Sequence, residues 1–517
     1  MATDQINCSS SFRDYLFKDK SNKRILIGAG IVSVVLFSIF KHFYPFASYI
    51  HGDSFVYLET AEKNLSINTY MIGYSMFLRL FSVFTTSDTA LVAFQYLFLQ
   101  SSTLFLLFTI FFFYKPSKVA QYILLCFMIF NPLFLYLGNL VSSDALFASL
   151  SVTWFTLLLW IIHCPSVRLI IWHTFIIFIA FTFRYNALIY LFIAIVAFFL
   201  SQQSRVLKIV GISTGAIAIG LFVWHTGNQY QKLTGIWQYS PFSGWQMANN
   251  AMYAYRYVDS AERKPVLPRF ATLDNMIRTY FDSTRNTARF PSENVKASTV
   301  YMWTKHLSLF KYRDSVVFKS DTSSADELKK WATMGPLYKD YGLYIIAHYP
   351  RHFAQYFLWP NAQKYYAPPV EFLSTYNSGR ANTAAIAARW FRYKNLRVST
   401  KTGGLEIHML DFYPILSGVT NVVMLFGLMC YFILAGFKQN TQFRKGILLG
   451  ATVWLLNAGF TIFASSAALR FQVFPILLSS TFMTLLIDWL AQMASIKQNI
   501  KIPTYKSESN SVALLNS

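Results

Sequence analysis

The feature that most constrains this chain is a series of long apolar runs. They lie at about 25–47, 89–113, 119–140, 145–163, 168–183, 187–201, 207–225, 412–436, 446–468 and 472–492. Several approach or exceed the ~20 residues that an α-helix needs to cross a ~30 Å hydrocarbon core. Only 13% of the residues are charged, about half the ~25% found in soluble proteins. The sequence therefore predicts an all-α integral membrane protein with about ten transmembrane helices.

Basic residues in the short loops predict how these helices are oriented. A further apolar run, 70–84, is short and contains Arg79. If this run does not cross, the N-terminal tail with Lys20 and Arg24 and every short basic loop lie on one side, as the positive-inside rule requires. We therefore predict that 70–84 is a juxtamembrane helix on the outer surface, and that both termini are cytoplasmic.

This topology divides the chain into successive parts. We predict a cytoplasmic N-terminal tail, an N-terminal transmembrane module with first outer loop 48–88, a mainly α extracytoplasmic domain, C-terminal transmembrane helices and a cytoplasmic tail. Their bounds are 1–24, 25–225, 226–410, 411–493 and 494–517. The net charge of +22 favours membrane lipids and phosphate-bearing substrates as partners, and not nucleic acid.

Two acidic residues lie in separate segments of the predicted outer face. Asp53 follows the first span in His51-Gly52-Asp53, where it could act as a general base or cap a helix. Asp144 begins the fourth span after Ser142-Ser143, where it could act with Asp53 or interact with the helix dipole. As a pair, Asp53 and Asp144 would suit Mg²⁺ or Mn²⁺, and not zinc.

Two arginines lie at the outer boundary of apolar runs. Arg184 separates the fifth and sixth spans, and Arg470 separates the last two. Charged residues at membrane depth are costly and are functional candidates. Guanidinium groups suit phosphate because they present a planar fork of donors. The alternative is that each side chain reaches ordinary lipid phosphate.

The order of these segments resembles that of the GT-C glycosyltransferases, which include protein mannosyltransferases and aminoarabinose transferases. The resemblance is carried by Gly52-Asp53-Ser54-Phe55-Val56-Tyr57, Gly73-Tyr74, Ser143-Asp144-Ala145-Leu146, Arg184-Tyr185-Asn186-Ala187-Leu188, the helix 344–353 and Arg470-Phe471 with Pro475. It covers the layout of the first six spans well and the rest of the chain loosely.

The resemblance implies a glycosyltransferase that uses a polyprenyl-phosphate-linked sugar and inverts the anomeric carbon. The acceptor would be a glycan, a lipid or a protein. Asp53 would be the base and Asp144 would orient its partner, while the donor phosphate would bind Arg184 and Arg470. The substrate-binding residues would include His51, Tyr57 and Tyr74. The modest loops favour a bacterial inner (plasma) membrane, with the active site facing the periplasm or the exterior.

Two other classes of function fit parts of the same pattern. A multi-pass transporter or lipid-translocating protein would also carry charges within its spans. However, the sequence lacks the paired Gly- or Pro-interrupted segments that are typical of inverted repeats. A receptor or scaffold could use the basic segment 226–410, with 24 Lys/Arg and 12 Asp/Glu, to bind an anionic polymer. Asp53→Asn should abolish function in the enzyme and be nearly silent in the receptor or scaffold, since asparagine caps a helix about as well as aspartate.

Overall fold

A computed structural model describes residues 12–319 and 326–500. The regular secondary structure of these ranges is helical, with isolated β-bridges and no strands. The α-helices are α1 (Phe12–Phe17), α2 (Lys20–Phe43), α3 (Asp53–Glu62), α4 (Gly73–Ser82), α5 (Asp88–Tyr114), α6 (Lys118–Ile129), α7 (Pro132–Gly138), α8 (Asp144–His163), α9 (Val167–Phe183), α10 (Ile189–Leu200), α11 (Arg205–Thr234), α12 (Pro241–Tyr255), α13 (Ala271–Ser283), α14 (Val300–Trp303), α15 (Ser308–Tyr312), α16 (Glu327–Thr333), α17 (Gly335–His348), α18 (Pro350–Phe353), α19 (Trp359–Tyr366), α20 (Ala385–Phe391), α21 (Tyr413–Ile433), α22 (Thr441–Ala464) and α23 (Val473–Ile500). Of the predicted tails, residues 1–11 and 501–517 lie outside the described residues.

Within the described ranges, eight helical segments are long and apolar enough to cross a membrane. They are α2, α5, the combined segment Lys118–Gly138, α8, α11, α21, α22 and α23 as far as Ser495. The predicted spans 168–183 and 187–201 form shorter apolar helices, Val167–Phe183 and Tyr185–Leu200. Residues 12–319 and 326–500 thus form an all-α membrane protein with eight candidate membrane-spanning helices.

The predicted span 119–140 is interrupted at Asn131 and Pro132. Asn131 Oδ1 accepts a hydrogen bond from the backbone N–H of Leu133 at 3.1 Å, which caps α7. Pro132 lacks an N–H and suits the first position of a helix, where no internal partner is required. The hydroxyl of Tyr413 also donates to Asn131 Oδ1, so α21 packs against this break.

The short run 70–84 forms α4, which has only ten residues. At 1.5 Å per residue it is about 15 Å long, half the hydrocarbon thickness. Its first residue, Gly73, lies against the C-terminal end of α9, where a Cβ atom would come within 2.6 Å of the backbone of Thr182. Helix α4 is therefore too short to cross and is held against the end of the bundle.

The long helices give the bundle two chemically different ends. The α2–α3, α7–α8, α9–α10 and α22–α23 junctions lie at one end, here called the site end. The α5–α6, α8–α9, α10–α11 and α21–α22 loops lie at the other end, which carries the short basic loops. At this basic end, Ser117 donates its backbone N–H to Asp488 Oδ2 at 2.9 Å. The predicted grouping of the basic loops is thus compatible with the helix order.

The polar segment 226–410 consists of two differently packed parts. Residues between Tyr230 and Phe357 form a separate hydrophobic core, here called the outer module. Its helices α12 and α17 approach so closely that a Cβ on Gly244 would overlap the carbonyl oxygen of Gly335. Residues 366–410, here called the return segment, instead contribute buried side chains to the core of the helix bundle.

Candidate functional site

Asp53 and Asp144 each begin a helix, yet neither carboxylate caps its own helix. The N-cap positions are Gly52 for α3 and Ser143 for α8, and neither makes a side-chain capping bond. Gly52 has a φ of 107°, a conformation that favours glycine. Both carboxylates instead bind side chains from other elements, so the capping alternative does not describe the contacts of Asp53. Asp144 lies in the first turn of α8, where its helix-dipole alternative placed it.

Arg470 lies between the two carboxylates. Its Nη2 donates to Asp53 Oδ2 at 2.8 Å, and its Nη1 donates to Asp144 Oδ2 at 3.3 Å. The guanidinium also faces the rings of Phe372 and Phe471, at 4.2 and 4.4 Å from their centroids. Arg470 is only 6% exposed. Burial alone would lower the pKa of Arg470, but the charges of Asp53 and Asp144 outweigh it and raise that pKa.

Arg184 binds the other side of Asp144. Its Nη2 donates to Asp144 Oδ1, and its Nε donates to Ser143 Oγ at 3.1 Å. Its guanidinium lies over the Phe471 ring at 4.9 Å, so both arginines share one aromatic neighbour. The hydroxyl of Ser142 donates to Asp144 Oδ2 at 2.7 Å. The four charged residues that the sequence singled out therefore form one cluster with equal numbers of positive and negative charges.

Tyr70 also binds this cluster, although the sequence did not single it out. Its hydroxyl donates to Asp53 Oδ1 at 2.7 Å. Burial, followed by the charge of Asp53, raises the pKa of Tyr70 well above its usual value. Tyr70 therefore remains a hydrogen-bond donor to Asp53. The only sequence feature that pointed to Tyr70 was its position in the same outer loop as Asp53, and Tyr74 shares that feature.

The three predicted substrate-binding residues have different surroundings. Tyr57 joins the cluster through a 3.1 Å hydrogen bond between its hydroxyl and Ser143 Oγ, and burial raises the pKa of Tyr57 to about 12. Tyr74 is fully buried and donates to Gln95 Oε1 at 2.9 Å, while its ring supports that of Tyr57. His51 lies against Phe55, with ring centroids 5.0 Å apart, and its backbone N–H donates to Ser378 Oγ at 3.2 Å, so its described contacts lie outside the four charged residues.

The donor set around Asp53 and Asp144 does not fit a divalent metal ion. The guanidinium of Arg470 lies between the two carboxylates and binds both. Asp144 has a second cationic partner in Arg184, and carboxylates that hold a divalent cation need their oxygens free for it. Residues 12–319 and 326–500 contain no group of three or more His, Cys, Asp or Glu that could hold a metal. The side chains of this cluster therefore do not form a metal site.

No protein-family model, curated protein or solved structure matches this chain. The functional conclusion therefore depends on the chemistry of the cluster and on its position. Asp144 and Arg470 of this cluster are buried, and Asp53 and Arg184 are partly exposed. The cluster contains paired acids and guanidinium groups and lies at the end of the bundle opposite the basic loops.

Proposed function

We propose that this chain is a membrane glycosyltransferase of the GT-C type. It moves a sugar from a polyprenyl-phosphate donor to an acceptor hydroxyl on the extracytoplasmic side. The main support is that Asp53, Asp144, Arg184 and Arg470 meet in one ion-paired cluster although they lie in four separate segments of the chain. These are the residues to which the resemblance assigns the base, its orienting acid and the donor phosphate site.

The proposal includes a particular arrangement in a bacterial plasma membrane. Helices α9 and α10 cross together with the eight longer segments, which gives ten crossings and places both termini in the cytoplasm. The site end faces the periplasm or the exterior, α4 lies along the outer surface, and 226–410 is extracytoplasmic. The basic residues of the short loops then lie at the cytoplasmic end, as the positive-inside rule requires.

The chemical step is a single displacement at the anomeric carbon. The acceptor hydroxyl gives its proton to Asp53 while its oxygen bonds to the anomeric carbon. The bond between that carbon and the phosphate oxygen breaks, and its electron pair leaves with polyprenyl phosphate. Arg184 and Arg470 stabilise the negative charge that develops on the phosphate. Asp144 acts as a positioning residue because it contacts both guanidinium groups.

Both oxygens of Asp53 have side-chain partners. Oδ1 accepts from Tyr70 and Oδ2 accepts from Arg470. A bound donor phosphate competes with Asp53 and Asp144 for the same guanidinium group. When Arg470 turns to the phosphate, Oδ2 becomes free to accept the proton of the acceptor. Donor binding would thus prepare the base for the second substrate.

The test compares wild type with Asp53→Asn and Glu59→Gln, purified in detergent. Glu59 is a matched control because it lies on the same helix and forms an exposed pair with Lys63. Each protein is given a panel of polyprenyl-phosphate sugars and an acceptor extract, and released polyprenyl phosphate is measured. We expect release by wild type and Glu59→Gln, and a loss of about 10²–10⁴-fold in Asp53→Asn. We expect release to persist in EDTA, because two guanidinium groups already balance the charges of the two carboxylates.

Each other result would contradict a stated part of the proposal. Equal release by wild type and Asp53→Asn would show an enzyme in which Asp53 is not the base. No release by wild type across the panel would contradict the glycosyltransferase and favour a transporter or lipid-translocating protein. Thermal unfolding of the variants shows whether a loss of activity reflects a loss of fold.

A further inference from the structure

Three aromatic side chains stand together beside the proposed base. The rings of Tyr70, Phe242 and Trp303 lie about the same distance from one another, with centroid separations of 6.0–6.1 Å. We call this set the aromatic wall. Tyr70 connects it directly to Asp53 through the 2.7 Å hydrogen bond. An apolar surface therefore adjoins the carboxylate that the proposed reaction uses.

The aromatic wall is built by two parts of the chain that dock on each other. Tyr70 comes from the first outer loop, whereas Phe242 and Trp303 come from α12 and α14 of the outer module. The hydroxyl of Tyr230 donates to the backbone carbonyl of Asn68 at 2.8 Å and so joins the module to the loop. The outer module thus brings its own side chains to the site end of the bundle.

Trp303 leaves part of its ring accessible. It is 38% exposed, whereas Asp144 and Arg470 of the charged cluster are buried. The chain continues from Trp303 into Thr304, Lys305 and His306, of which the last two are exposed. The open part of the wall therefore combines an aromatic face with a polar rim.

The aromatic wall also extends toward Arg184 of the charged cluster. The ring of Phe242 lies 6.4 Å from that of Tyr185, which directly follows Arg184. In a single displacement the phosphate and the attacking hydroxyl lie on opposite sides of the anomeric carbon. The arginines hold the phosphate in the proposed reaction, so the acceptor must approach from the side of Asp53. Tyr70 binds Asp53 directly, and the ring of Trp303 lies 6.1 Å from that of Tyr70.

We infer that the aromatic wall binds the acceptor and that this acceptor is a carbohydrate. A pyranose ring has an apolar C–H face, which packs on an aromatic ring, and a hydroxyl-bearing edge, which suits a polar rim and a carboxylate. A hydroxyl of the sugar ring that stacks against Trp303 would then reach Asp53. This inference rests on the proposed function and narrows its acceptor from glycan, lipid or protein to glycan.

The first test measures sugar binding without the donor, so it does not depend on catalysis. Saturation-transfer NMR with neutral hexose and hexosamine oligosaccharides is recorded for wild type, Trp303→Ala, Trp303→Phe and Trp359→Ala. Trp359 is the matched control because it is a tryptophan outside the wall and is 64% exposed. We expect binding by wild type and Trp359→Ala, about tenfold weaker binding by Trp303→Ala, and an intermediate affinity for Trp303→Phe.

The second test uses whichever oligosaccharide binds as an acceptor for the donor that wild type cleaves. Trp303→Ala should raise the KM for the oligosaccharide and leave the dissociation constant for polyprenyl phosphate unchanged. The carbohydrate inference is overturned if wild type binds none of the sugars, or if Trp303→Ala binds them as well as Trp359→Ala does. Sugar binding without donor cleavage would instead contradict the proposed enzyme and keep the wall as a carbohydrate site.

Discussion

Arg470 and Asp53 lie 417 positions apart in the chain, and Arg470 Nη2 lies 2.8 Å from Asp53 Oδ2. The same guanidinium contacts Asp144, which is also held by Arg184. Buried charges of this kind depend on one another, because removing one partner leaves the other charge desolvated and unpaired. The same charged residues therefore contribute both to the stability of the site end and to the proposed reaction.

Arg470→Met should destabilise the protein because it leaves Asp53 and Asp144 without their shared cation. The expected cost in the free energy of unfolding is about 3–5 kcal/mol. Arg389→Met is the control, since its pair with Glu62 is exposed and should contribute at most about 1 kcal/mol. Thermal unfolding in detergent measures both variants. Equal unfolding midpoints for the two would contradict the buried bridge.

Arg184→Gln should weaken donor binding more than it affects folding. Arg184 is partly accessible, with 17% of its side chain exposed, and its guanidinium suits a phosphate. Loss of a charge-assisted contact worth about 1.5–3 kcal/mol should raise the dissociation constant for polyprenyl phosphate by about 10–100-fold. Arg168→Gln, an exposed arginine of the basic end, provides the control. Unchanged affinity in Arg184→Gln would exclude Arg184 from the phosphate site.

Tyr70→Phe keeps the ring of the aromatic wall and removes the hydrogen bond to Asp53. A hydrogen bond to a charged group contributes about 1.5–3 kcal/mol. Burial and the charge of Asp53 raise the pKa of Tyr70, so its stabilising contribution is fully present below about pH 10. That contribution is lost only as the pH rises through the higher pKa of the folded protein.

The stability difference between wild type and Tyr70→Phe should therefore be constant from about pH 6 to 9. Chemical unfolding at several pH values measures this difference. Tyr257→Phe serves as the control because Tyr257 is 38% exposed and lies outside the cluster. A difference that disappears between pH 7 and 9 would show that the pKa of Tyr70 is lowered in the folded protein and not raised.

Local sequence rules predicted the helical class and the residues of the charged cluster. Run length identified the long helices, and the cost of charge at membrane depth singled out Arg184 and Arg470. The interruption of 119–140 also had a local signal, because Asn131-Pro132 is a favourable helix start. That signal was outweighed by the continuous apolar composition of the run.

Contacts between distant segments could not be predicted from local sequence rules. Nothing near Tyr70 or Tyr74 indicates which hydroxyl reaches Asp53, since that depends on how the outer loop folds over α9. The position of Phe372 against Arg470 likewise depends on the path of the whole return segment. The prediction of one domain at 226–410 did not separate the outer module from the return segment, because these two parts differ in the core that they pack into.

The return segment is attached to the bundle by a buried hydrogen-bond network at Asp88. The hydroxyl of Tyr393 donates to Asp88 Oδ2 at 2.8 Å and lies 2.8 Å from that of Tyr49. Asp88 Oδ2 also accepts the backbone N–H of Ala47 at 2.7 Å. This network holds the segment whose Phe372 covers Arg470.

Tyr393→Phe should loosen the return segment without removing any charged residue of the cluster. Losing a hydrogen bond to the buried carboxylate costs about 1.5–3 kcal/mol, so local opening should increase by about 10–100-fold. Trypsin measures this opening at Arg392 and Lys394, which are exposed, and the cleavage rate should rise when reclosing is faster than cleavage. The control Tyr122→Phe changes a 57% exposed tyrosine of α6. Equal cleavage of the two variants would show that the hydrogen bond to Asp88 does not hold the return segment. Faster cleavage of Tyr393→Phe together with lower transferase activity would show that this hydrogen bond also keeps Phe372 over Arg470.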